Sequence, residues 1–142
     1  MIPLFLMHDR FCKAFLSFFL RRTGVMVEAT EAFAFETNEE GQDPALNLVD
    51  HIRPDNSSET VREAARRAFL QLAQPTIETG KPAALGIEKA RPGIVPQFCL
   101  IFPLVFKEQL VGVFGFICRC KDMDMARKHV EMVYKYLPRD DS

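Results

Sequence analysis

The chain has little charge of either sign to spare, with a formal net charge of −1 over 142 residues. A nucleic-acid footprint needs a clustered basic excess to neutralise phosphates. Here the basic spots are short: Arg21-Arg22, Arg66-Arg67, and Arg119 with Lys121. Each has acidic neighbours within reach, so they read as solvated helix ends and faces, and direct nucleic-acid binding is excluded. Long apolar runs are also missing. Ala14 to Leu20 is greasy but short and contains Ser17, far from the roughly 20 residues that a membrane-spanning helix needs. The apolar residues near the N-terminus (Ile2, Leu4, Phe5, Leu6, Met7) are interrupted by His8, Asp9, Arg10 and Lys13, so no signal core is expected. Cysteine is sparse, at 4 residues, and a chain of this length needs no disulfide staples. Free thiols and a cytoplasmic location follow as expectations. There is no glycine-rich phosphate loop, and His8, His51 and His129 are too scattered for a nucleophile–base pair or a metal cluster. No metal, no cofactor and no catalytic residue is therefore assigned.

What the chain does have is apolar mass. Hydrophobic residues make up 48 % of it, with 13 Phe and no Trp. That is enough to fill the core of one domain, spanning residues 1–142 with its core over about 11–137.

Periodicity assigns the elements. Phe11, Phe15, Phe18 and Phe19 recur at helical spacing within residues 4–22, and Thr23-Gly24 is expected to end that helix. Its apolar face is broad enough to need cover on more than one side, which invites a second subunit. Residues 25–36 and 45–49 read as a hairpin around a turn at 38–43, with Gly41 in the turn. A capped helix follows Ser57, Ser58 or Thr60, with an apolar stripe of Val61, Ala65, Ala68, Phe69 and Leu72. Arg62, Arg66, Gln71 and Gln74 lie off the stripe. Pro75 is expected to end or kink the helix. A short edge strand over 83–87 precedes the strongest signal, two nearly continuous apolar strands over 98–106 and 110–120. Unbroken hydrophobicity marks burial on both faces. Pro103 predicts a local break or an edge position. Met123, Ala126, Val130, Val133 and Leu137 make the stripe of a last helix.

Short turns between neighbouring strands make the sheet antiparallel. The predicted fold is α+β: a central antiparallel sheet of five to six strands, terminal helices on one face, and the middle helix with its loops on the other.

This order, together with three local patterns, resembles the GAF domain family. The patterns are Thr79-Gly80-Lys81-Pro82-Ala83 closing the middle helix, Pro103-Leu104 followed after a turn by Gly112-Val113 and Gly115, and the opening helix running through Thr23-Gly24-Val25 into the first strand. The resemblance covers nearly the whole chain. It implies a sensory or regulatory module that cradles a small molecule between the sheet and the middle segment, and a homodimer formed through the terminal helices. The motif of the cyclic-nucleotide-binding branch, the chromophore-attachment cysteine and the middle-segment cysteines of the sulfoxide-reductase branch are not found.

The candidate binding residues are Phe33, Phe35, Phe98, Phe102, Phe114 and Phe116 as an aromatic lining, with His51 and Arg53 at the pocket mouth, where an anionic group would suit them. Two other functions stand beside this one. One is a structural dimerisation domain whose pocket is filled. The other is a small thiol-based redox enzyme using Cys118 and Cys120, which strand alternation places on one face.

Overall fold

A computed structural model describes residues 20–37, 46–53, 56–87, 91–106 and 108–137. Residues 4–19 of the helix expected over 4–22, with Cys12, and the turn at 38–43 lie outside the described residues. The elements run as helix α1 (residues 20–26), β1 (Ala29–Thr37), β2 (Leu46–Ile52), α2 (Glu59–Thr79), β3 (Ala83–Gly86), β4 (Gln97–Phe106), β5 (Gln109–Arg119) and α3 (Met123–Lys135). The strands form one open antiparallel sheet in the order β2-β1-β5-β4-β3. The expected α+β architecture is what the chain adopts. Among the described residues, no helix is long and apolar enough to cross a membrane.

Strand alternation sorts the core into two layers. Even-numbered residues of the central strands (Ala32, Ala34, Phe98, Leu100, Phe102, Leu104, Phe114, Phe116, Cys118) pack with Leu20 of α1 and with Ala126 and Val133 of α3. Odd-numbered ones (Phe33, Phe35, Cys99, Ile101, Val113) pack with Phe69 and Ala73 of α2. Terminal helices and middle helix thus cover opposite faces, and the β4–β5 hairpin is buried from both sides.

Local chemistry sets the element ends. Ser58 caps α2 by accepting a hydrogen bond from the Val61 N–H at 3.3 Å, and Asp122 caps α3 by accepting from Met125 N–H at 2.9 Å. Both satisfy helix donors that have no partner within the helix. Gly80 closes α2 with φ 70°, donating its N–H to the Thr76 carbonyl. That left-handed turn strains any residue with a Cβ.

Several boundaries differ from the sequence expectation. Helix α1 runs past Thr23-Gly24 to residue 26 and ends where Glu28 takes φ 52°. Gly24 lies against Phe116, where an added Cβ would make ordinary van der Waals contact with the ring at 3.5 Å, so the glycine neither stops the helix nor is demanded by the packing. Pro75 lies inside α2, which continues to Thr79; the Thr79 hydroxyl donates back to the Pro75 carbonyl at 2.8 Å. Val61 is 46 % exposed and falls outside the buried stripe, which centres on Phe69, Ala73 and Thr76. Pro103 remains in the ladder opposite Val113, while the irregularity comes between Leu104 and Val105. Pairing with β3 ends at Ile101, so at Pro103 β4 has a neighbour on one side only, the position where a missing N–H is tolerated.

Candidate functional site

Phe33 organises the α2 side of the sheet. Across β1–β5 it stands opposite Gly115, and across β1–β2 opposite His51. Glycine at 115 leaves room for a ring from above. Phe69 of α2 occupies that room and lies nearly parallel to Phe33, with centroids 4.6 Å apart. His51 stacks on Phe33 at 4.5 Å. Three rings, one each from β1, β2 and α2, therefore bind the helix to the sheet.

Beside this stack α2 stands off the sheet and leaves a cleft of about 460 Å³. Its walls are Ala65, Ala68, Phe69 and Leu72 from α2, Phe33 and Ile117 from the sheet, and Ile87 after β3. Thr30, Glu31, Arg53 and Gln97 supply the polar margin. The volume falls in the ordinary range for small-molecule sites, and a mainly apolar wall with few polar groups is their usual chemistry.

The polar margin is a connected network. Glu31 Oε2 accepts from His51 Nε2 at 2.5 Å and from Arg53 at 3.0 Å. Arg53 Nε also donates to the Ser57 hydroxyl at 3.0 Å. The other ring nitrogen, His51 Nδ1, accepts from Arg66 Nε at 3.0 Å. A guanidinium N–H can only donate, so Nδ1 carries no proton and Nε2 does. This fixes His51 as the Nε2–H tautomer, donating to Glu31. The His51 side chain is only 2 % exposed and that of Glu31 13 %. Arg66 in turn meets Glu59 at 2.7 Å, and its guanidinium holds the Glu59 carboxyl below the usual carboxylate range. The chain of polar contacts therefore links β1 and β2 to α2.

The structure divides the predicted site residues. Phe33 and Arg53 line the cleft, and His51 sits behind Phe33. Phe35 lies on the same face but against Phe69, with rings 5.9 Å apart, outside the cleft lining. Phe98, Phe102, Phe114 and Phe116 belong to the opposite layer, beneath α1 and α3. There Phe102 stacks on Phe114 at 5.0 Å and meets Phe116 edge-on at 6.1 Å. Their even numbering aligns them with Ala32 and Ala34 of β1, not with Phe33. His51 lies within β2 rather than after it, and buried rather than at a mouth. Residues that the sequence reading left out are Glu31, Arg66 and Phe69. Glu31 had a signal: it is a charge at the inward parity of a strand whose next inward residues are Phe33 and Phe35. Arg66 had none, since a helix position beside the apolar stripe is usually solvated.

The described thiols, Cys99, Cys118 and Cys120, are not part of the cleft lining. Cys118 and Cys120 are buried in the α1/α3 layer with their sulfurs 3.6 Å apart. Burial is the main cause that raises both thiols above the usual range. Cys99, buried on the α2 face, is pushed up to about 12 by burial and then by Glu31. Thiols so protonated and so covered are poor nucleophiles, which counts against thiol chemistry.

No protein-family model matches the chain, and no curated protein sequence matches it. Solved structures do resemble it. The crystal structure of the GAF domain/HD domain protein from Geobacter sulfurreducens superposes with a TM-score of 0.51 at 10 % identity, over 85 % of this chain and 88 % of that one. A third GAF domain from a Synechocystis protein, solved in its photoproduct state, gives 0.46 at 10 % identity, over 87 % and 94 %. The chain has a GAF-like fold.

Proposed function

We propose that this chain is a sensory or regulatory module that takes a small, mainly apolar molecule in the cleft between the sheet and α2, and that it works as a homodimer through its terminal helices. The observation that carries the reading is the cleft itself. It is bounded by α2 on one side and by β1 and β5 on the other, so an occupant touches both layers at once. A molecule that fits one spacing of α2 against the sheet better than another shifts the balance between them by its differential affinity. The opposite face of β1 and β5 carries α1 and α3, so a change at the cleft wall has two helices to act upon. Support for a second subunit comes from apolar side chains left in solvent on α1 and at the end of α3: Val25 is 78 % exposed and Tyr136 61 %. The alternative, a dimerisation domain without a ligand, makes no use of the cleft.

Native mass spectrometry of the freshly purified chain tests this. The expected result is a dimer carrying a small-molecule adduct that is released on denaturation. Ala65→Trp places an indole in the cleft wall and should remove the adduct while leaving the dimer. A dimer without adduct would favour the ligand-free alternative, and an adduct unaffected by Ala65→Trp would place binding elsewhere.

A further inference from the structure

The cleft's polar margin holds a carboxylate whose two oxygens are used unequally. Glu31 Oε2 accepts both from His51 and from Arg53. Oε1 accepts no hydrogen bond from any described residue, and it is not among the buried side-chain atoms left without a partner, so it remains accessible. Glu31 shares the parity of Phe33 and Phe35, which places its side chain on the α2 side, and it lines the cleft.

The groups expected to attract an anion are committed in the opposite sense. Arg53 lies against Glu31 and Ser57. His51 has its one N–H on Glu31, and its other nitrogen is occupied by Arg66. An incoming carboxylate or phosphate would meet the Glu31 carboxylate at the margin, which repels it, and would find the charge of Arg53 already compensated by that same carboxylate. A hydrogen-bond donor would find an acceptor already in place, aligned by two partners from β2 and the segment after it. Acceptors held in a low-dielectric wall discriminate strongly, because a group left unpaired there loses its water without replacement.

We infer that the cleft selects an apolar molecule bearing a hydrogen-bond donor (an amine, hydroxyl or amide N–H) that bonds Glu31 Oε1, and that it rejects the same apolar body bearing a carboxylate or phosphate. This rests on the cleft reading given above and names the class of its ligand. Glu31 is the specificity-determining residue. His51, Arg53 and Arg66 are positioning residues, since they act through Glu31. The walls of Ala65, Leu72, Ile87 and Ile117 accept the apolar body.

The test uses three probes with one body: 4-phenylbutylamine, 4-phenylbutan-1-ol and 4-phenylbutyrate. Each is titrated into the unaltered, isotope-labelled full chain and followed through the amide resonances of Ala65, Ala68, Leu72 and Ile117. The amine and the alcohol are expected to move these signals saturably, with the carboxylate about tenfold or more weaker, the size of one well-placed buried polar contact. Glu31→Gln should narrow that gap, because it replaces one carboxylate oxygen with a donor. The head-group comparison on the unaltered chain stands even if the variant folds poorly. A carboxylate that binds as well as the amine overturns the inference and leaves the cleft reading intact. If none of the three probes moves the cleft signals, both fall together.

Discussion

Gly115→Ala puts the packing of α2 on the sheet to a direct test. A Cβ at 115 would stand 2.3 Å from Phe69 Cε1 and 2.8 Å from Cζ, and 2.5 Å from the Leu100 carbonyl oxygen. All three distances are far below van der Waals contact. The ring can retreat only by lifting α2 or abandoning its stack on Phe33, and the Leu100 oxygen belongs to a strand that pairs on both sides. Overpacking of this kind costs about 1–3 kcal/mol. Removing a glycine from a strand interior returns about 0.5–1 kcal/mol. Because one clash is with backbone, the upper part of the cost range applies, and a net loss of about 2 kcal/mol is expected. For a domain of this size that lowers Tm by roughly 4–10 °C. Urea melts followed by circular dichroism should show a lower midpoint with an unchanged m-value. Phe69→Ala supplies the second half of the test. Alone it should cost about 3–5 kcal/mol as a large-to-small core change. Combined with Gly115→Ala, the loss should fall short of the sum by about 1 kcal/mol or more, because the new methyl then meets no ring. A Gly115→Ala chain within about 0.5 kcal/mol of the parent, or strict additivity, would refute the placement of Phe69 over Gly115.

Gly80→Ala should destabilise the chain by about 1 kcal/mol through its φ of 70° alone. The nearest atom to an added Cβ is Val105 Cγ2 at 3.9 Å, so no clash contributes; a thermal melt indistinguishable from the parent would contradict the left-handed cap. Asp122→Ala removes the hydrogen bond to Met125 N–H and should cost about 1 kcal/mol, with amide exchange quickening in the first turn of α3 ahead of the other helices. The Cys99 thiol, raised from an ordinary 9.0 to about 12 in the folded chain, makes stability fall as pH rises through that interval. Above 9.0 the unfolded chain releases this proton and the folded chain keeps it, so the unfolded state gains. The urea stability of the parent should therefore decline more steeply over that range than that of Cys99→Ala, and parallel slopes would count against the buried thiol.

The sequence carried the architecture well because its strongest signals are long. The two apolar runs ending at Phe106 and Arg119 have no reading other than a doubly buried hairpin, and the stripes of α2 and α3 recur over several turns. Boundaries carried less. Pro75 and Gly24 both suggest breaks on local grounds, yet α2 and α1 continue through them. A helix held by Phe69, Ala73 and Thr76 against a sheet gains more from the packed turn after Pro75 than it loses with one N–H. In the same way, α1 continues past Gly24 because its turn is packed on the sheet through Leu20 and Thr23, both buried, where local rules suggest a stop.

The candidate site was legible only in part, because it depends on register. Along any one strand, alternation separates the phenylalanines plainly: 98 and 102 share one face, as do 114 and 116, and as do 33 and 35. Which of these faces coincide is decided by the pairings Ala32↔Phe116 and Ala34↔Phe114. Had β1 slipped by one residue, Phe33 and Phe35 would join the α1/α3 layer and leave alanines under α2. The register in place instead matches size with size. Ala32 and Ala34 make room on the side where Phe102, Phe114 and Phe116 crowd, while Phe33 and Phe35 fill the side where β5 offers Val113 and Gly115. That choice also delivers Glu31 to the α2 face two residues before Phe33, and His51 opposite Phe33. The polar margin of the cleft is thus a by-product of the packing that sets the register. A substitution that exchanges large for small between the layers, such as Ala34→Phe with Phe35→Ala, should disturb the Glu31–His51–Arg66 contacts without touching any of the three residues.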